Sequence, residues 1–115
     1  MPKLYKEITE DISQSLTKLR KEIPEVMGAF GSLAQAATNE GALDKKTKEL
    51  IALALGIASK CDGCIGFHTK ALIKLGVTRQ EFLEMLGMAI YMGGGPSLMY
   101  AADALKAYEE FQKSD

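Results

Sequence analysis

The sequence predicts an all-α fold, a compact bundle of about six helices in one domain over residues 1–115. Three observations carry that prediction. Apolar residues recur at steps of three and four nearly throughout, which is the repeat of a helix face. No run alternates apolar and polar residues with the period of two that a half-buried strand needs. Helix-boundary residues (Asp44, Gly76, Thr78 with Glu81, Pro96) fall where the periodic stretches begin and end.

The first helix presents Leu4, Ile8, Ile12, Leu16, Leu19 and Ile23 on one face, until Pro24 breaks it or opens the next. A second helix of small residues follows over about 25–39, stopped by Asn39-Glu40-Gly41. Its Gly28 and Gly31 predict close backbone packing there, at about 1 kcal/mol of helix propensity each. Asp44 caps a third helix that covers the apolar run to about Ala58. The first turn of that helix, Lys45-Lys46-Thr47-Lys48, is basic, an arrangement the helix dipole disfavours.

A fourth helix runs from the cysteine segment to Leu75, with Ser59 expected as its N-cap and Gly76 in the left-handed C-terminal position. Thr78 and Glu81 form a capping box that opens the fifth. Gly93-Gly94-Gly95-Pro96 ends it, and Pro96 suits the first turn of a sixth helix reaching about Phe111. That glycine run lacks the Lys-Ser/Thr of a phosphate loop and reads as a helix break. Met85, Met88 and Met92 share one face of the fifth helix; core packing is the first reading, a subunit interface or adaptable substrate wall the second.

Composition narrows the function classes. With 47% hydrophobic and 25% charged residues, the chain is neither disordered nor fibrous. Fourteen basic and fifteen acidic residues, well mixed, leave a net charge of −1 and no electrostatic case for nucleic acid or an anionic membrane as partner. No stretch approaches the ~18–20 uninterrupted apolar residues of a membrane span. The amino-terminal segment has no apolar signal region, so a cytoplasmic location is expected, where a structural disulfide is disfavoured. Six short helices with Ala- and Gly-rich faces expose more apolar surface than a small monomer tolerates, which predicts a homo-oligomer.

The only two cysteines and the only histidine fall within the segment Cys61-Asp62-Gly63-Cys64-Ile65-Gly66-Phe67-His68. Steps of three and four place Cys61, Cys64 and His68 on one face of a helix. Two thiols so spaced at a helix start close a small disulfide ring, and the helix N-terminus stabilises a thiolate. The imidazole one turn beyond Cys64 can take up the thiol proton. Gly63 and Gly66 leave room for a substrate or partner.

Other readings stand beside this one. A zinc site would use Cys61, Cys64 and His68, with a fourth ligand from Glu49 or another subunit. Two buried free cysteines beside a core histidine are the bland alternative. Covalent haem attachment is rejected, because Ile65 stands where a histidine must follow the second cysteine. A thioredoxin-like fold is rejected as well, because nothing before Cys61 reads as a strand.

With Glu49, eleven residues, then Cys61, Cys64 and His68, the chain resembles the alkyl hydroperoxidase D-like branch of the carboxymuconolactone decarboxylase family. That signature is a glutamate on one helix and Cys-x-x-Cys-x-x-x-His opening the next. The flanks Lys-Glu-Leu-Ile-Ala-Leu-Ala and His-Thr-Lys-Ala-Leu-Ile-Lys-Leu-Gly-Val-Thr-Arg-Gln-Glu also resemble it, and the likeness covers roughly residues 20–110.

The resemblance implies an alkyl hydroperoxidase D-like helical fold, trimeric or hexameric, with thiol-dependent peroxidase or disulfide reductase activity. The substrate would be a hydroperoxide or small disulfide, the partner an external dithiol donor, with no resident cofactor or metal. Position by position, it implies Cys64 as the peroxidatic thiol, Cys61 as the thiol that closes the disulfide, and Glu49 with His68 as the proton relay. Thiolate stabilisation at a helix start favours Cys61 for first attack, whereas the His68 spacing favours Cys64. Peroxidase members carry a second histidine just before the second cysteine; Gly63 stands there, which shifts the implication towards weak peroxidase or general disulfide reduction. A third function keeps the fold but uses Glu49 and His68 for acid/base chemistry on a small organic acid, as in the decarboxylase branch.

Overall fold

The computed structural model describes residues 2–113, and these form six helices. They are α1 (Tyr5–Glu22), α2 (Pro24–Thr38), α3 (Lys45–Ala58), α4 (Asp62–Lys74), α5 (Arg79–Gly93) and α6 (Gly95–Gln112). The fold is all-α, as the periodicity predicts. No helix among the described residues is long and apolar enough to cross a membrane.

Local chemistry sets most boundaries. The Asp44 carboxylate accepts from the Thr47 N–H at 2.8 Å to open α3, and this bond holds the carboxyl below its ordinary pKa. At the start of α5 both halves of the capping box are present: Glu81 N–H donates to Thr78 Oγ1 at 3.1 Å and Thr78 N–H to Glu81 Oε1 at 2.9 Å. Gly76 (φ +80°) and Gly94 (φ +76°) adopt the left-handed backbone that ends α4 and α5. The basic first turn of α3 finds its account in tertiary partners. Lys46 pairs with Glu81 at 2.9 Å, and the Lys48 ammonium donates to the Asn39 carbonyl at 2.5 Å.

The core sits among α3, α4, α5 and α6. Leu53 and Ile57 of α3, Ile65 and Leu72 of α4, and Phe82 and Leu86 of α5 are buried against a small-residue face of α6, Ala101, Ala104 and Ala107. Alanine at every third position lets the α6 backbone come close to its neighbours. The Phe82 and Tyr108 rings meet with centroids 4.7 Å apart. The amino-terminal end of α1 joins this core through Tyr5 and Thr9, both fully buried.

Three expectations need correction. The apolar stripe of α1 is not buried along its length, since Leu19 and Ile23 stay 41% and 42% exposed. Helix α2 has no buried residue at all, and a Cβ at Gly28 or Gly31 would meet nothing within 4 Å, so no close packing explains these glycines. Both corrections have one cause: the end of α1 and all of α2 stand away from the core. The radius of gyration, 14.4 Å, accordingly exceeds the ~13 Å of a compact chain this long. Third, of the methionine stripe only Met85 packs inside; Met88 and Met92 are exposed and line a cleft of about 260 Å³ with Leu55 and Ala58.

Candidate active site

Helices α3 and α4 form an antiparallel hairpin, and the chemistry lies along its seam. Helix α3 turns Glu49, Leu53, Gly56 and Ile57 inward. Gly56 is what lets α4 approach, because a Cβ there would stand 2.8 Å from Cys64 Cβ. The connection is short. Ser59 ends α3 by donating its N–H to Leu55 O at 2.9 Å, Lys60 takes a left-handed backbone (φ +56°), and α4 opens at Asp62.

The N-cap of α4 is therefore Cys61 itself, not Ser59. Its sulfur accepts the Cys64 N–H at 3.1 Å, the bond a serine or aspartate cap would otherwise accept. Cys61 thus lies just outside the helix and Cys64 inside its first turn, with Cα atoms 5.2 Å apart and the two sulfurs joined in a disulfide. Both cysteines are half-buried.

His68 is one turn further along α4. Its Nδ1 lies 2.6 Å from Oε1 of Glu49, which is buried at 7% exposure. An ionised carboxylate only accepts, so when Glu49 is charged and the ring neutral, Nδ1 donates across this contact and Nε2 is left as the basic ring nitrogen. The structure thus brings the four residues together as two couples, Cys61 with Cys64 and Glu49 with His68. Among the described residues no hydrogen bond joins one couple to the other. Nor do three or more His, Cys, Asp or Glu side chains among them converge as a metal site would require.

Sequence reasoning missed a third group. The Asp62 carboxylate, between the two cysteines in the chain, accepts from the Tyr5 hydroxyl and from the Lys3 ammonium, each at 3.0 Å. Lys3 also donates to Asp103 at 2.9 Å and lies 4.8 Å from the centre of the Tyr100 ring. Burial, followed by the bond to Asp62, pushes the Tyr5 hydroxyl well above its ordinary pKa; the bond to Asp103 raises Lys3 in the same sense. No spacing signal could have found this group, because its members come from three separate helices and the segment before α1.

Comparison with known proteins places the chain. Residues 24–107 match the carboxymuconolactone decarboxylase family. A crystal structure of a carboxymuconolactone decarboxylase family protein from Legionella pneumophila superposes with a TM-score of 0.93 at 67% identity, covering 95% of this chain and 97% of that one. An uncharacterized protein of Cupriavidus necator is 38% identical over 109 residues, 89% of this chain and 96% of its own length. The alkyl hydroperoxide reductase AhpD of Mycobacteroides abscessus is 33% identical over 63 residues, 55% of this chain and 36% of its own. With the motif on the same helical hairpin that the match spans, this chain belongs to the carboxymuconolactone decarboxylase family.

Proposed function

We propose that the chain is a dithiol oxidoreductase that reduces an organic hydroperoxide or a small disulfide and is returned to the dithiol by an external dithiol donor. The observation that carries this reading is the half-buried Cys61–Cys64 pair at the start of α4, one turn from an imidazole held by a buried carboxylate. The partial likeness to an alkyl hydroperoxide reductase supports it.

In the peroxidase step, Cys64 thiolate attacks one peroxide oxygen, the O–O bond breaks, and the alcohol leaves after taking a proton. Cys64 becomes a sulfenic acid. The Cys61 thiol then attacks that sulfur, the S–O bond breaks, and water leaves as the disulfide closes. One dithiol and one hydroperoxide thus give one disulfide, one alcohol and one water. Two electrons and two protons from the donor dithiol restore the starting state. His68 accepts the thiol proton at Nε2 and Glu49 stabilises the imidazolium that forms.

Stopped-flow mixing of the reduced protein with an alkyl hydroperoxide, followed by mass spectrometry, tests the reading. Loss of two thiols as an intramolecular disulfide supports it; a dithiol that stays inert refutes it. A Cys61→Ser protein should yield a trappable sulfenic acid on Cys64, whereas trapping only in Cys64→Ser would reverse the two roles. If both cysteines can be replaced by serine while an activity on a small organic acid survives, acid/base chemistry by Glu49 and His68 is the function instead.

The same reading includes a homo-oligomer, trimeric or hexameric. Val26, Phe30 and Leu33 of α2 are 62%, 66% and 63% exposed, an apolar face that a second copy would cover. Sedimentation at micromolar concentration checks this, and a monomer would reject it.

A further inference from the structure

The segment before α1, together with α1 itself, lies outside the residues that match the family, yet it holds the motif. Asp62 is the one charged residue between the cysteines, and it is peptide-bonded to Cys61. Its carboxylate is held by Tyr5, which is fully buried, and by Lys3, itself anchored on Asp103. Helix α1 lies against the first turns of α4 as well. A Cβ at Gly63 would stand 2.9 Å from Ile12 Cδ1, and one at Gly66 would stand 2.5 Å from Thr9 Cγ2.

The geometry points to a positioning role for Tyr5, Lys3 and Asp62: together they clamp the dithiol turn in the conformation in which the disulfide closes. This inference rests on the reading of Cys61 and Cys64 as the redox pair. Cys61 is the N-cap of α4, its carbonyl accepting the Ile65 N–H at 2.9 Å and its sulfur the Cys64 N–H at 3.1 Å, so its place over Cys64 depends on that first turn keeping its shape. Only Asp62 and Gly63, the first two residues of α4, intervene, and Gly63 weakens that turn by its low helix propensity. Anchoring Asp62 removes much of the remaining motion and raises the effective concentration of one thiol at the other. The clamp therefore favours the disulfide over the dithiol. Coupling between two equilibria is reciprocal, so the closed disulfide steadies the clamp in return.

Tyr5→Phe removes one hydroxyl, keeps the buried ring and changes no charge. The test is equilibration of the full chain with reduced and oxidised dithiothreitol, in which the donor dithiol opens the protein disulfide and becomes a cyclic disulfide itself. The constant for closing Cys61–Cys64 should fall about tenfold in Tyr5→Phe, a potential about 30 mV less negative. Lys46→Met, which breaks the ion pair with Glu81 between α3 and α5, should leave the constant unmoved and so separates positioning from general stability. Hydrogen exchange on the unaltered protein supplies a readout that needs no variant: reduction should speed exchange at the Tyr5 and Lys6 amides, now bonded to Glu110 at 2.8 and 3.0 Å.

A Tyr5→Phe constant within twofold of the unaltered protein, or exchange indifferent to redox state, overturns the clamp. If the shifts occur but the dithiol ignores hydroperoxides and disulfide substrates, the proposed function falls while the clamp stands. A reactive dithiol with an unmoved constant sinks the clamp alone.

Discussion

Gly56 is where the packing of the site can be measured most cleanly. A Cβ at this position would lie 2.8 Å from Cys64 Cβ, about 1 Å inside the ~3.5–4.0 Å at which two carbons rest. The contact is with the stem of Cys64, not with the far end of a flexible chain, so a helix must give way. Overpacking of this kind costs ~1–3 kcal/mol. Alanine also removes the helix penalty of glycine, a gain of about 0.8–1.0 kcal/mol. Gly56→Ala should therefore lose on the order of 1 kcal/mol net.

The same change at Gly87, a helical and exposed position where a Cβ meets nothing within 4 Å, should show the propensity gain alone. Subtracting the two results cancels propensity and isolates the packing cost. Urea unfolding of both oxidised proteins measures it. Gly56→Ala should also push α3, which carries Glu49, away from the dithiol helix. A displacement near 1 Å can cost about 100-fold in rate, so hydroperoxide reduction should slow markedly, while Gly87→Ala should react as the unaltered protein does. A Gly56→Ala protein as stable as Gly87→Ala would refute this account of how α3 and α4 meet.

Other expectations follow from the site and its surroundings. His68→Ala should slow the reaction of the dithiol with hydroperoxide about 100-fold or more, the usual range for loss of a general base. Glu49→Gln keeps the shape but weakens the bond at 2.6 Å, and should slow the same stopped-flow reaction by about tenfold at neutral pH. Stability should decline at alkaline pH: the Tyr5 hydroxyl is raised above its ordinary value near 10, so above that pH the unfolded chain releases a proton that the folded chain retains. Its contribution is complete below pH ~10 and drains away above it, and Tyr5→Phe should flatten that part of a urea-melt series from pH 8 to 11. Thr78→Ala should cost about 1 kcal/mol in the same urea assay by opening the capping box of α5.

Much of the architecture was legible before any coordinates, and particular residues show why. Asp44, Gly76 and the Thr78–Glu81 pair act within one turn of their own position, so their effect is written in adjacent residues. The Cys-x-x-Cys spacing likewise needs only its own turn to bring two Cα atoms to 5.2 Å. Ser59 shows the limit. It is a good cap by type, yet it ends α3, because its N–H reaches back to Leu55 and Lys60 reverses the chain. A sulfur, not a hydroxyl, therefore accepts the Cys64 N–H at the start of α4.

Burial is not a local property, and there periodicity misleads. The stripes of α1 and α2 have helix spacing, but spacing cannot say whether another element arrives to cover them. Among the described residues none covers Phe30 or Leu33. What the residue order settled alone was helix content, the ends of the helices, and the presence of two thiols and an imidazole within two turns. What needed the folded chain was partnership. Glu49 meets His68 across a hairpin, and Tyr5 and Lys3 reach Asp62 and Asp103 over separations of 57 to 100 residues. Pairings at that range depend on how whole helices pack, and no short window of sequence contains them.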